Sequence, residues 1–84
     1  MLDSAEMGCI LKVLKILKKG KNKYSAMFKE TKFSHDTLQK VLKDLEKKKF
    51  IKRQESEYKI VDYEITEKGK RLLEKLDELG EILK

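Results

Sequence analysis

The chain has 84 residues, of which 39% are hydrophobic and 43% charged, with no proline and a net charge of +6. This length suits one small domain with a thin core, and no apolar run approaches the ~20 residues that a membrane-spanning helix needs. The N-terminus lacks the features of a signal peptide, and a single cysteine, Cys9, excludes an intrachain disulfide, so we expect a cytoplasmic protein.

Positive charge is concentrated in the first two thirds of the chain. Residues 1–54 contain 15 Lys+Arg and 6 Asp+Glu, whereas residues 55–84 contain 6 and 9. A one-sided positive field favours a polyanionic partner, because phosphate contacts release condensed counterions. Lysine-rich surfaces also serve solubility, so charge alone leaves both interpretations open.

The first predicted helix is capped by Asp3 or Ser4 and runs to about Lys19. Apolar side chains cover more than half of its circumference, which predicts that it packs on two sides. One side would meet its own domain, and the other a terminal helix or a second subunit. Cys9 is expected in this core. Gly20 fits a helix-ending glycine in the left-handed conformation.

The next two predicted helices are short and nearly contiguous. The segment YSAMFKETK, residues 24–32, predicts a helix capped by Ser25. Residues 34–49 predict an amphipathic helix with Ser34 as N-cap, because apolar residues recur at i, i+3, i+4 and i+7. Its apolar stripe consists of Leu38, Val41, Leu42 and Leu45. Two such helices, the second with an exposed polar face, describe a helix-turn-helix over residues 24–49.

After residue 49 the hydrophobic period changes from that of a helix to that of a strand. Strands are predicted at residues 50–54 and 58–65, joined by an acidic turn, with Val61, Tyr63 and Ile65 facing inward. Thr66 then caps a last helix over residues 66–83. Its leucine seam has coiled-coil spacing and predicts a homodimer through Leu72, Leu76, Leu79 and Leu83. The alternative is that this seam folds back on the first helix.

This order of elements resembles the winged helix-turn-helix transcription regulators, most closely their small archaeal, MarR-like and PadR-like branches. The likeness rests on residues 24–53 and on YEITEKGKRLLEKL, from Tyr63 to Leu76, which is similar to a Y-x-L-T-x-K-G junction between wing and last helix. It implies one mainly α domain over residues 1–84, in the order α-α-α-β-β-α, with a small β-hairpin wing at residues 50–65. Lys49 departs from the glycine usual there, and the wing tip is acidic where basic residues are common.

The resemblance implies sequence-specific binding to double-stranded DNA by a transcription regulator, with the helix at residues 34–49 in the major groove. The candidate DNA contacts are Ser34, His35, Thr37, Gln39, Lys40 and Lys43 on that helix, and Lys21, Lys23, Lys52, Arg53 and Lys59 around it. The alternative is a winged-helix protein-interaction module within a larger complex. RNA binding would require exposed aromatic platforms that the sequence does not suggest. No HxxxH, CxxC or phosphate-binding glycine loop occurs, so we expect no catalytic centre, metal site or cofactor.

Overall fold

The computed structural model describes residues 4–20 and 22–83, with side chains described for residues 6–20 and 22–80. The elements in chain order are α1 (Ser4–Lys19), β1 (Asn22–Lys23), α2 (Tyr24–Thr31), α3 (His35–Lys47), β2 (Ile51–Glu55), β3 (Val61–Ile65) and α4 (Glu67–Leu83). The predicted order of three helices, a β-hairpin and a last helix is confirmed. The structure adds one short strand, β1, where the sequence suggested a loop.

The first helix, α1, is the central element of the core. It contacts α2, α3, α4 and β3, which explains why so much of its surface is apolar. Its Cys9, Val13 and Leu14 are fully buried. Burial raises the pKa of the Cys9 thiol to about 11, only partly offset by the positive charge of Lys12, so the thiol stays protonated at neutral pH. The prediction that α1 packs on two sides is confirmed, and the last helix of the same chain covers one of them.

The sheet has three antiparallel strands in the order β1-β3-β2. β3 is central because Lys23 of β1 pairs with Asp62, while Gln54 of β2 pairs with the same residue from the other side. The second wing strand, predicted from residue 58, begins only at Val61. The residues before it form the turn, in which the amide of Ser56 donates to the carbonyl of Ile60 at 2.9 Å.

Helix starts follow the predicted caps at two of the three positions that the structure describes, while Asp3 and the side chain of Ser4, the predicted caps of α1, lie outside the described residues. The Ser34 hydroxyl accepts from the amide of Thr37 at 3.2 Å, and the Thr66 hydroxyl accepts from the amide of Gly69 at 3.1 Å. The prediction that Ser25 caps α2 is wrong. Lys23 occupies the N-cap, because its pairing in β1 holds it extended immediately before the helix, and its ammonium has no acceptor with which to cap a backbone amide.

Helix ends depend on residues with positive φ. Gly20 has a φ of 153°, far from the ~57° of the left-handed helical conformation that the sequence suggested. Lys49, which replaces the expected glycine, has a φ of 65°. Its amide donates to the carbonyl of Glu46 at 3.0 Å, and the amide of Phe50 donates to Leu45 at 2.9 Å. This is a Schellman motif that ends α3 with a lysine in the glycine position.

The last helix starts in close contact with the beginning of the wing. A Cβ at Gly69 would collide with the backbone carbonyl oxygen of Phe50 and with the side chain of Ile65. The Thr66 hydroxyl donates to the carbonyl of Lys49 at 2.8 Å, which satisfies a backbone group at the end of α3. Gly69 is the glycine of the Y-x-L-T-x-K-G junction, and this close approach requires a residue without a side chain at that position.

The leucine seam of α4 is partly used within the chain, because α4 packs against α1. Leu73, beside the seam, is the most buried leucine among the described side chains of this helix at 2% exposure. Leu72 and Leu76 are half-buried against the core, whereas Leu79 is 54% exposed. Leu83, the last residue of the predicted dimer interface, lies outside the described side chains. No helix within the described part of the chain is long and apolar enough to cross a membrane.

Candidate nucleic-acid interface

The third helix separates its side chains into a buried stripe and an exposed polar face. The stripe predicted from the sequence is confirmed, since Leu38, Val41, Leu42 and Leu45 are at most 3% exposed. The opposite face presents Gln39, Lys40, Lys43 and Lys47 to solvent. A helix anchored this firmly by one face can offer the other as a rigid surface to a ligand.

Two of the predicted contact residues also build the start of α3. Ser34 accepts from the Thr37 amide, and its hydroxyl donates to the Thr37 hydroxyl at 3.0 Å. Asp36 lies in the same first turn, where its carboxylate complements the positive end of the helix dipole. The structure therefore gives Ser34 and Thr37 a capping role and places them at the end of α3 that enters a groove in helix-turn-helix proteins.

His35, the first residue of α3, belongs to an aromatic cluster with α2. Its ring stacks on Phe28 with centroids 3.7 Å apart and an interplanar angle of 9°. Its Nδ1 is 2.8 Å from the hydroxyl oxygen of Tyr24. Burial is the main cause that raises the pKa of Tyr24, with smaller contributions from Tyr63, Asp36 and Cys9. The hydroxyl of Tyr24 therefore keeps its proton at neutral pH.

Lys40 forms an ion pair that links α3 to α1. Its ammonium lies 2.7 Å from Oε1 of Glu6, whose side chain is 13% exposed, while that of Lys40 is 61% exposed. A mostly buried carboxylate stabilises the ammonium position, because leaving that carboxylate unpaired costs solvation energy. Among the predicted DNA contacts on α3, Lys40 is thus the one whose charge is already partly neutralised within the protein.

A groove of about 590 Å³ separates α3 from the wing. Three predicted contact residues line it, Gln39 and Lys43 from α3 and Arg53 from β2. The groove is also lined by Tyr24, Leu42, Glu46, Val61 and Tyr63. It therefore combines two cations, one carboxylate and an amide with aromatic and aliphatic side chains.

The remaining described cations among the predicted contacts lie on the sheet and its turn, outside the lining of this groove. Lys23 ends β1, and Lys52 of β2 pairs in register with Glu64. Lys59 lies in the wing turn with a φ of 60°. Lys21 lies outside the described residues. The strand pairing also places an acidic residue beside two of these cations, because Asp62 pairs with Lys23 and Glu64 pairs with Lys52.

The wing tip differs from the rest of this surface. Residues 55–60 are all exposed, and they include the carboxylates of Glu55 and Glu57. Tyr58 is 84% exposed and Ile60 41%. The acidic tip predicted from the sequence therefore carries two exposed apolar side chains. Such a tip is repelled by a phosphate backbone, whereas the flanking cations are attracted to it.

Three side chains of this region were not predicted as site residues, namely Tyr24, Phe28 and Glu6. Tyr24 and His35 are 11 residues apart, and Glu6 and Lys40 are 34 apart, so no local spacing in the sequence indicates either contact. The one signal in the sequence is the spacing of Tyr24 and Phe28, which are four residues apart and therefore lie on one face of α2. Within the described part of the chain, no group of three His, Cys, Asp or Glu side chains could hold a metal ion.

Comparison with solved structures supports the architecture. The reduced form of the transcriptional regulator YodB from B. subtilis is similar at 25% identity and a TM-score of 0.72, with coverage of 81% of this chain and 70% of that chain. A mutant of ZitR from Lactococcus lactis is similar at 21% identity and a TM-score of 0.73, with coverage of 95% of this chain and 53% of that chain. A mutant of MepR from a multidrug-resistant S. aureus clinical isolate is similar at 24% identity and a TM-score of 0.69, with coverage of 93% of this chain and 61% of that chain.

The present chain thus spans less than two thirds of the ZitR and MepR chains, and at these identities the two show the fold alone. No curated protein matches the sequence. A family model described as "Winged helix-turn-helix" matches residues 5–84, which is nearly the whole chain. The chain belongs to the winged helix-turn-helix family.

Proposed function

We propose that this protein binds double-stranded DNA sequence-specifically as a transcription regulator, with α3 in the major groove. The observation that carries the proposal is the exposed face of α3, which continues across a groove to Arg53 of the wing. The likeness to YodB, a transcriptional regulator, supports the same function. A helix fits the major groove, and the residues near its N-terminus reach base edges.

The residues of the site have two different roles in this proposal. Gln39 reads sequence, because its amide can pair with adenine through two hydrogen bonds. Lys23, Lys52 and Arg53 contact phosphates and position the domain, since a point charge or guanidinium on the backbone carries no base information. Lys43, at the edge of the groove, can serve either a guanine or a phosphate.

The test is selection of bound sequences from a random duplex library, followed by titration of the preferred and of a scrambled duplex at two salt concentrations. Gln39→Ala should weaken the preferred duplex by ~1–3 kcal/mol and hardly affect the scrambled one. Lys52→Ala should weaken both duplexes about equally and reduce the salt slope by roughly one. Lys75→Ala, with the same charge change on α4, is the matched control and should leave both affinities nearly unchanged.

A homodimer is the second part of the proposal. Leu79 is 54% exposed on α4, and together with the half-buried Leu72 and Leu76 it leaves an apolar strip that a second copy could cover. A dimer would place two recognition helices about one turn of DNA apart, ~34 Å, and would read a palindromic site. The selected sequences test this directly, because a monomer would select a single half-site.

A protein-interaction module within a larger complex is the competing function, and the wing tip is the observation that favours it. Exposed Tyr58 and Ile60 beside Glu55 and Glu57 suit a protein surface better than a phosphate backbone. The two functions differ in the same titration. If the protein fails to bind any duplex at low salt, the DNA-binding proposal is wrong and the interaction module replaces it.

A further inference from the structure

We propose that Tyr24 is a positioning residue for DNA recognition, because it holds His35 so that Nε2–H is the hydrogen-bond donor offered to DNA. This inference rests on the proposed function and adds a residue to it. Tyr24 is the first residue of α2 and His35 the first of α3, so the contact joins the starts of the two helices of the motif.

The geometry fixes the imidazole on two sides. Its Nδ1 lies 2.8 Å from the Tyr24 hydroxyl oxygen, a distance typical of a short hydrogen bond. One face stacks on Phe28 at 3.7 Å between centroids, and the Tyr24 ring lies nearly parallel at 5.7 Å and 13°. The ring can neither rotate freely nor exchange its two nitrogens without breaking one of these contacts.

The chemistry of the pair determines which nitrogen carries the proton. A neutral imidazole has one donor and one acceptor nitrogen, while a phenol can be either donor or acceptor. A phenolic O–H is the stronger donor and an imidazole nitrogen lone pair the stronger acceptor, so the hydroxyl donates to Nδ1. The raised pKa of Tyr24 ensures that the hydroxyl proton is present. Nδ1 is then the acceptor, and the ring proton resides on Nε2.

This tautomer suits the groups that DNA presents. Phosphate oxygens and the N7 and O6 atoms of guanine are all acceptors. An Nε2–H donor at the first residue of α3 can bind any of them, whereas an unprotonated Nε2 would face an acceptor with its own lone pair. His35 is exposed, so its outer edge is open to a ligand. Tyr24 thus acts through His35 and needs no contact with DNA itself.

The first experiment measures the tautomer in the free protein. Nitrogen-15 shifts of the neutral His35 ring are recorded by NMR at alkaline pH for the wild type, Tyr24→Phe and Phe28→Leu. The wild type should show protonated Nε2, and Tyr24→Phe should shift towards a tautomer mixture, because only the hydroxyl is lost. Phe28→Leu is the matched control, since it removes the stacked ring but keeps the hydroxyl, and it should leave the tautomer as in the wild type.

The second experiment is a double-mutant cycle in duplex binding. Tyr24→Phe should weaken binding to the selected duplex by roughly 3- to 10-fold, the range expected for one hydrogen bond. In a His35→Ala background the same change should have an effect of less than about twofold. Thermal melting confirms that each variant is folded, and Tyr24→Phe preserves the ring that packs at this position.

The outcomes separate the inference from the proposed function. If the wild type binds duplex and Tyr24→Phe changes neither tautomer nor affinity, the role of Tyr24 is refuted while DNA binding stands. An equal loss of affinity with and without His35 would also refute it, because Tyr24 would then act on its own. If the wild type binds no duplex, both proposals fail together.

Discussion

Lys49 occupies a position where the resemblance led us to expect glycine. It adopts a φ of 65° at the end of α3, a conformation that costs a side-chain-bearing residue about 1–2 kcal/mol. Lys49→Gly removes this strain and adds some freedom to the unfolded chain, so it should raise the free energy of unfolding by ~0.5–1 kcal/mol. Lys48→Gly, one residue earlier at a φ of −87°, should lower it by a similar amount in urea denaturation. If both glycine substitutions change the free energy of unfolding by the same amount and in the same direction, Lys49 is not strained.

Two threonines allow a second comparison at the residue scale. The hydroxyl of Thr31 is buried with no hydrogen-bond partner among the described residues, whereas that of Thr66 bonds to three backbone groups. Thr31→Val keeps the shape and removes an unsatisfied group, so it should stabilise the protein by ~1 kcal/mol or be neutral. Thr66→Val should destabilise it by ~1–3 kcal/mol, because the carbonyl of Lys49 and the amide of Gly69 lose their partner, while the carbonyl of Phe50 keeps the amide of residue 66. The test is to compare the denaturant midpoint of each variant with that of the wild type.

At the scale of elements, two glycines of α4 have opposite requirements. Gly69→Ala places a Cβ against the carbonyl of Phe50, which can move only if the start of the wing moves, so we expect a loss of ~3 kcal/mol or more. Gly80 has nothing within 4 Å of its missing Cβ, and Gly80→Ala should stabilise the helix by up to ~1 kcal/mol. Thermal melts of the two variants should therefore shift in opposite directions. A small shift for Gly69→Ala would show that α4 does not need its close approach to the wing.

If α3 binds DNA as proposed, the ion pair between Glu6 of α1 and Lys40 of α3 should weaken its attraction to phosphates. Glu6→Gln removes the charge that neutralises Lys40, so we expect tighter duplex binding and a salt slope steeper by roughly one. Glu30→Gln removes the same charge from α2 at an exposed position and serves as the matched control. In a Lys40→Ala background, Glu6→Gln should lose most of its effect. If both glutamate variants strengthen binding equally, the gain comes from net charge and not from the pair.

The elements that the sequence predicted well are those defined by neighbours along the chain. Ser34 and the stripe from Leu38 to Leu45 lie within one helix, so cap chemistry and helical spacing suffice. β1 could not be predicted, because two residues carry no strand periodicity and their pairing with β3 joins positions 39 and 41 residues apart. The contacts of His35 and Lys40 were missed for the same reason. Lys49 was recognised as unusual, but its conformation depends on the bonds of Glu46 and Phe50 around it.

At the scale of the whole molecule, the exposed part of the leucine seam is the surface that remains for a second copy. α4 already covers part of α1, and Leu79 is the most exposed described leucine of the seam. We expect a dimer at micromolar concentration in sedimentation velocity, and Leu79→Asp should shift it towards a folded monomer. Leu73→Asp, at a position 2% exposed, should instead unfold the chain. A folded, monodisperse monomer of the unmutated protein would contradict the dimer.

The pairing of β1 with β3 has a consequence for the thermodynamics of the proposed DNA binding. Because Lys23 is paired in register with Asp62, the start of α2 cannot shift relative to the wing unless the sheet opens. Tyr24, which lines the groove at the start of α2, is therefore held beside the wing in the free protein, so the proposed DNA binding should lose little conformational entropy there. A change that separates β1 from β3 would lower affinity through the added cost of ordering this surface, even with every contacting side chain still present.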